Sequence, residues 1–252
     1  MILSLKIYLT KEREAPMPKY NELIINGRST SDLPFFCGVE ENSAPTRAAK
    51  KNKYHDLDMV NGLVTQTIEA WNPVEKSYVF YLHDVSKSDL RKFKSFIGYN
   101  GWLTPYDDPD IHYNFSNATM ESQPLDEFNG YTVIATFTCE PFEYEPEKTN
   151  TLGSSIINHT TAPMYPKIVI TGNIATSTFL QIGSQRMTFP NGIDTKVTIE
   201  CKHGLQNIFD KNGNAINSKV RGPFFEIKSG THAVTKGTGI TNIQITERWG
   251  WL

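Results

Sequence analysis

The chain has 252 residues, enough for one large domain or two of ordinary size. Lys and Arg number 25 against 27 Asp and Glu, a net charge of −2, which excludes a global basic footprint for nucleic acid or anionic lipid. Apolar residues at 38% and aromatics at 12% exclude wholesale disorder. Thr, Asn, Ser, Gly and Pro are abundant and Ala is scarce, which favours β-structure with many turns. Cys37, Cys139 and Cys201 stand too far apart for a disulfide framework, and an odd count suits a reducing compartment. The longest apolar stretches are strand-sized, short of the ~20 residues that a membrane-spanning helix needs.

The first segment, Met1–Pro16, lacks the basic region and cleavage site of a signal peptide. Arg13-Glu14-Ala15 can be encoded by a purine-rich, ribosome-binding-like stretch just before Met17. Two readings follow: translation starts at Met17, or the segment is a genuine arm or added strand. Next, Asn21–Gly27 reads as a short strand closed by a turn, and Phe35–Val39 as a second strand. Glu40–Lys53 carries Arg47, Lys50, Lys51 and Lys53 without periodicity, the pattern of a solvated loop or extended arm. Leu57–Val60 ends at Asn61-Gly62, a tight-turn dipeptide. Thr65–Trp71 and Ser77–Leu82 read as strands flanking an Asn72-Pro73 turn.

One helix is expected. Ser86 and Asp89 form an S-x-x-D capping box, Leu90, Phe93, Phe96 and Ile97 make an apolar stripe, and Gly98 is placed to end it. Trp102–Thr104, Ile111–Phe115 and Tyr131–Cys139 continue as strands, the last expected to be the longest of this half. Glu140–Pro146 breaks the pattern, and Asn150–Thr161 is polar and nearly uncharged. Short strands then recur at Lys167–Thr171, Phe179–Ile182, Gln185–Phe189, Lys196–Cys201, Leu205–Phe209, Phe224–Ile227 and Ile240–Thr246. That spacing predicts a sandwich or jelly roll of roughly 100 residues. The expected division is therefore an extension at 1–16, a first domain at 17–148 and a β-sandwich at 152–252, with a linker near Glu147–Ser155.

No residue set builds an enzyme. Asp107, Asp108 and Asp110 beside His112 could suggest a metal or acid–base site, but D-D-P-D is a turn signature, with Pro109 fixing φ and Asp side chains closing Asx-turns. Asp210–Asn214 lacks the Gly and Glu positions of a calcium loop and reads as a hairpin turn. The histidines have no metal-ligand spacing. Nucleophile-elbow, zinc-protease and phosphate-loop motifs are missing. Catalytic, metal and cofactor sites are all expected to be none. Trp249 and Trp251 have two readings, packing of the last strand or an anchor for a neighbouring subunit.

The order of features carries a resemblance. I-x-G at Ile25–Gly27 and S-D-L at Ser31–Leu33 are followed by an Asn-Gly turn at Gly62 and S-Y-x-x-Y-L at Ser77–Leu82. Then come a helix opening S-D-L-R-K at Ser88–Lys92 and the acidic turn D-D-P-D-x-x-Y at Asp107–Tyr113. F-x-C-E-P-F-x-Y closes the series with Phe137, Cys139, Pro141, Phe142 and Tyr144. Over roughly Lys19–Tyr144 this resembles the distal tail protein family of siphophages that infect Gram-positive bacteria. Many relatives have a P-G-R-x-G-like turn where this chain has Met59–Gly62, a departure confined to one loop.

The resemblance implies a mainly β protein with one short helix. A ring-forming N-terminal domain would be followed by a galectin-like, jelly-roll C-terminal sandwich. It further implies a structural virion protein rather than an enzyme: a homohexameric hub ring at the tail tip, assembled in the host cytoplasm. Its partners would be the tail tube, the tape-measure protein, a tail-associated lysin, and receptor-binding or baseplate proteins. DNA would only pass through the lumen, and no membrane is involved. Arg47, Lys50, Lys51, Lys53, Trp249 and Trp251 are candidate inter-subunit contacts. The alternative is a carbohydrate-binding protein acting at the host surface through its C-terminal sandwich, which calls for exposed aromatics aligned on one face.

Overall fold

A computed structural model describes residues 21–56, 61, 63–125 and 129–252. The expected segments 1–16 and Leu57–Val60, and Gly62 of the tight turn, lie outside the described residues. In chain order the strands are β1 (Leu23–Ile25), β2 (Arg28–Ser29), β3 (Phe36–Glu41), β4 (Lys50–Asp56), β5 (Leu63–Trp71) and β6 (Val74–His83). Helix α1 (Lys87–Ile97) precedes β7 (Gly101–Pro105), β8 (Tyr113–Leu125), β9 (Gly130–Cys139) and β10 (Glu143–Tyr144). Then follow β11 (Lys148–Thr151), β12 (Ser155–Asn158), β13 (Lys167–Ile174), β14 (Thr178–Ile182), β15 (Gln185–Phe189) and β16 (Ile193–Glu200). The chain closes with β17 (Asn207–Phe209), β18 (Gly230–Lys236), β19 (Asn242–Glu247) and β20 (Gly250–Trp251). The protein is mainly β, and among the described residues it has one α-helix.

Contacts divide the chain into two units. The first comprises residues up to 46, 74–109 and 113–140; the second comprises 47–73, 110–112 and 141–252. In the first, seven strands form one antiparallel sheet in the order β2-β1-β7-β8-β9-β6-β3. The Asn26-Gly27 turn joins β1 to β2 with φ of 51° and 78°, the left-handed pair that a tight hairpin requires. Alternation on β6 puts Val74, Tyr78, Phe80 and Leu82 inward, against the same face as Val133, Ala135 and Phe137 of β9.

Helix α1 caps that face as the sequence predicts. Ser86 accepts from the Asp89 N–H and the Asp89 carboxylate accepts from the Ser86 N–H. Gly98 ends the helix at φ 70°. Leu90, Phe93, Phe96 and Ile97 are buried, and the Phe93 ring meets Phe80 edge-on at 5.2 Å. β8 runs thirteen residues, longer than the ten of β9. Its second half, Glu121–Leu125, is polar or half-exposed, so it has no apolar alternation by which to recognise a strand.

In the second unit, a five-stranded sheet (β11-β19-β13-β16-β17) and a four-stranded sheet (β12-β18-β14-β15) enclose one core. Ile168, Ile170, Leu180, Met187, Ile199 and Phe225 are fully buried there. This is the expected sandwich, with two corrections. Phe224–Ile227 is not a strand: Phe225 and Ile227 are core residues on irregular backbone tied by one bridge to Met164. Conversely, the expected linker Glu147–Ser155 is structured, because Lys148–Thr151 pairs with Gln244–Glu247 and Ser155–Asn158 with Gly230–Ala233. The polar composition of Asn150–Thr161 reflects edge strands rather than a flexible join.

Candidate functional site

The signature residues fall into two groups. In the first unit Phe137 and Cys139 are buried on β9 and Tyr113 on β8. Phe137 takes edge-on contacts from Tyr78 at 6.0 Å and Phe115 at 4.9 Å. Lys76 points into this group, 2% exposed, with Nζ 4.4 Å from the Tyr113 ring centre. Burial, reinforced by the charge of Asp107, pushes the Tyr78 phenol upward. In the second unit Phe142 packs edge-on against Trp71 at 5.6 Å and against Tyr144 at 6.0 Å. Tyr144 stacks on His112 at 5.7 Å, and the two residues exchange backbone hydrogen bonds. Pro141 is half-buried between the two groups in sequence. These contacts are of a packing kind, and the aromatic residue types that made the motif recognisable are used as core and staple.

The acidic turn is solvent-facing: Asp107, Asp108 and Asp110 are all exposed. Among the described residues no group of three His, Cys, Asp or Glu side chains could hold a metal ion. In the Asp210 loop the carboxylate accepts from the backbone N–H groups of Asn212 and Asn214 at 2.9 Å each. Those bonds hold its pKa below the usual carboxylate range, which is turn chemistry. Burial pushes the thiols of Cys37, Cys139 and Cys201 up to about 12 each, so none is a reactive nucleophile at neutral pH.

The basic stretch differs from expectation. Instead of an aperiodic arm through Lys53, residues 42–49 are irregular and β4 then pairs with β5, from Lys50↔Trp71 to Asp56↔Leu63. Every β4 side chain is exposed. A strand with no buried face shows no apolar period, which hid it in the sequence. The Lys50 ammonium lies 5.8 Å from the Trp71 ring centre. Arg47, Lys51 and Lys53 make no ion pair among the described residues, and Tyr54 is 62% exposed. The neighbouring β5 and β6, the strands that flank Asn72-Pro73, belong to different sheets.

Trp249 and Trp251 have different environments. Trp249 is buried in the sandwich core and its indole N–H donates to Glu247 at 3.1 Å. Trp251 is exposed on β20 and donates to Glu145 at 3.0 Å, an oxygen shared with His159 at 2.8 Å. Arg248, just before Trp249, is held by Glu147 and by both oxygens of Glu200. Burial pulls its pKa down, but hydrogen bonds and charges from Glu200 and Glu147 outweigh that and raise it. Sequence reasoning missed this ion cluster, whose members lie far apart in the chain. Other aromatics of the sandwich, Tyr165, Phe179, Phe189, Phe209, Phe224 and Phe225, are buried or half-buried. Arg186 covers Phe179 at 3.6 Å.

No family model matches the chain, and no curated protein matches it in sequence. Among solved structures it is similar to the Dit protein (gp 19.1) of phage SPP1, described as a paradigm of hub adsorption apparatus in Gram-positive infecting phages. The TM-score is 0.67 and the identity 19%, over 92% of this chain and 99% of that one. The chain therefore has the fold of this phage hub protein over nearly its whole length.

Proposed function

We propose that the protein is a structural component of a phage tail, a hub ring that joins the tail tube to the tip and its adsorption proteins. The observation that carries this reading is the fold shared with SPP1 Dit across 92% of the chain. A partial match would leave one unit free for another role.

In this reading the chain assembles as a homohexamer with DNA passing through the lumen. Tube, tape-measure, lysin and receptor-binding proteins dock on the ring. Closed rotational symmetry needs a heterologous interface, one patch meeting a different patch on the next copy. The exposed strand β4 suits one half of it, because a two-stranded sheet by itself is marginal in water and Arg47, Lys51 and Lys53 have no acidic partner among the described residues. Trp251 is a second candidate contact. Mass photometry and negative-stain imaging of the full chain test this. The expected result is closed six-fold rings, lost when Lys51 and Lys53 are both changed to Glu. A monomer at tens of micromolar would overturn the ring.

A further inference from the structure

The seven-stranded sheet of the first unit has two faces of different fate. Helix α1 packs on one of them, through Phe93 on Phe80. On the other, alternate residues of β3, β6, β9 and β8 point outward. The register lines them up: Glu41 opposes Val79, Val79 opposes Ile134, and Ile134 opposes Glu121. One row across four strands thus carries two aliphatic side chains between two carboxylates. Ile134 is 39% exposed. Beside the row, Phe36 is 61% exposed and meets Tyr81 edge-on at 6.4 Å. The solvated face of an antiparallel sheet is ordinarily polar, so a group of exposed aliphatic and aromatic side chains there marks a contact surface.

Charge argues what covers it. The four strands carry the carboxylates Glu40, Glu41, Glu75 and Glu121, all exposed and without a cationic partner among the described residues. Their only Lys or Arg is Lys76, which is buried on the opposite side. An acidic face with an apolar centre calls for a basic, extended occupant. The chain presents one itself: every side chain of β4 is exposed, and Arg47, Lys51 and Lys53 have no acidic partner among the described residues. Three interstrand spacings, about 14 Å, separate Glu41 from Glu121. Arg47 and Lys53 are at most about 20 Å apart along an extended chain, so the basic run is long enough to meet both carboxylates.

We infer that this face receives a second copy of the chain: strand β4 of the next copy lies across the row from Glu41 to Glu121, with its cations on the carboxylates and the aliphatic stems of its lysines on Val79 and Ile134. The contact is heterologous, because a face of one copy meets a strand of another, as closed rotational symmetry requires. It rests on the ring reading and names the half of the interface opposite β4.

Charge reversal on both sides tests this with the full chain, by sedimentation velocity over a range of concentrations. Glu41→Lys with Glu121→Lys reverses the face, and Lys51→Glu with Lys53→Glu reverses the strand. All four positions are exposed, so thermal melts should match that of the unaltered chain. Each pair alone should raise the concentration for half-assembly by at least about tenfold, because like charges set against each other suppress association. An equimolar mixture of the two variants should assemble again, since every face then finds a strand of opposite sign. A chain carrying all four substitutions should assemble for the same reason. If the Glu41→Lys, Glu121→Lys chain assembles as readily as the unaltered one, or the mixture stays dissociated while the unaltered chain forms rings, the assignment of this face to β4 is overturned and the ring stands without it. An unaltered chain that remains monomeric at tens of micromolar would overturn the ring reading itself, and this contact with it.

Discussion

Replacing Phe93 by Ala tests how the first unit is held together. Phe93 is fully buried on α1 and meets Phe80 edge-on at 5.2 Å. Transfer of a buried Phe side chain is worth about 1.5–3 kcal/mol, and the cavity left behind raises the cost of Phe→Ala to about 3–5 kcal/mol. A domain holds about 5–15 kcal/mol in all, so the loss is a large share of the unit's stability. In a unit of this size it lowers the midpoint by on the order of 10 °C. Differential scanning calorimetry of the full chain is the assay, because two units can unfold in separate transitions. The expected result is a shift of one transition in Phe93→Ala and no more than about 0.5 kcal/mol in Lys94→Ala, since Lys94 is exposed. Equal shifts in the two variants would refute the assignment of the helix stripe as the core face. A shift of both transitions by the same amount would refute independent units.

Three further outcomes are expected. The Asp89 carboxyl is held down to about 2 by hydrogen bonds from Lys92 and then Ser86. A depressed carboxylate contributes stability above its unfolded pKa of about 3.9 and loses it as pH falls toward 2. Urea unfolding should therefore show a wild-type advantage over Asp89→Ala that is constant above pH 5 and narrows between pH 4 and 2; an advantage unchanged at pH 2 would show that the cap does not act through its charge. At pH 8 the three buried thiols should react with an aromatic disulfide roughly a thousandfold more slowly than a free cysteine and all become reactive in denaturant, and a fast native thiol would contradict their burial. Among the described residues, trypsin should cut after Arg47, exposed in the irregular stretch 42–49, before it cuts at Lys148 in the paired β11, which N-terminal sequencing of the fragments decides.

By itself the sequence determined the elements whose chemistry is local. Ser86, Asp89 and the Leu90–Ile97 stripe specify α1 because cap and period lie within one stretch of chain. Asn26-Gly27 and Asp210–Asn214 specify turns because φ and Asx bonding are properties of a few consecutive residues. The ordered motifs from Ile25 to Tyr144 also pointed to the fold later seen in the likeness to SPP1 Dit. Tertiary structure alone decided what depends on partners distant in the chain. β4, with every side chain exposed, and the polar end of β8 are strands only because β5 and β9 lie beside them. Lys148–Thr151 looked like a linker and became an edge strand because β19, almost a hundred residues on, supplies its hydrogen bonds. Trp249 and Trp251 are two residues apart with the same side chain, yet one is buried and the other exposed. Strand period alone would put residues i and i+2 on one face and give the two the same fate; only the packed sheets bury one and leave the other exposed.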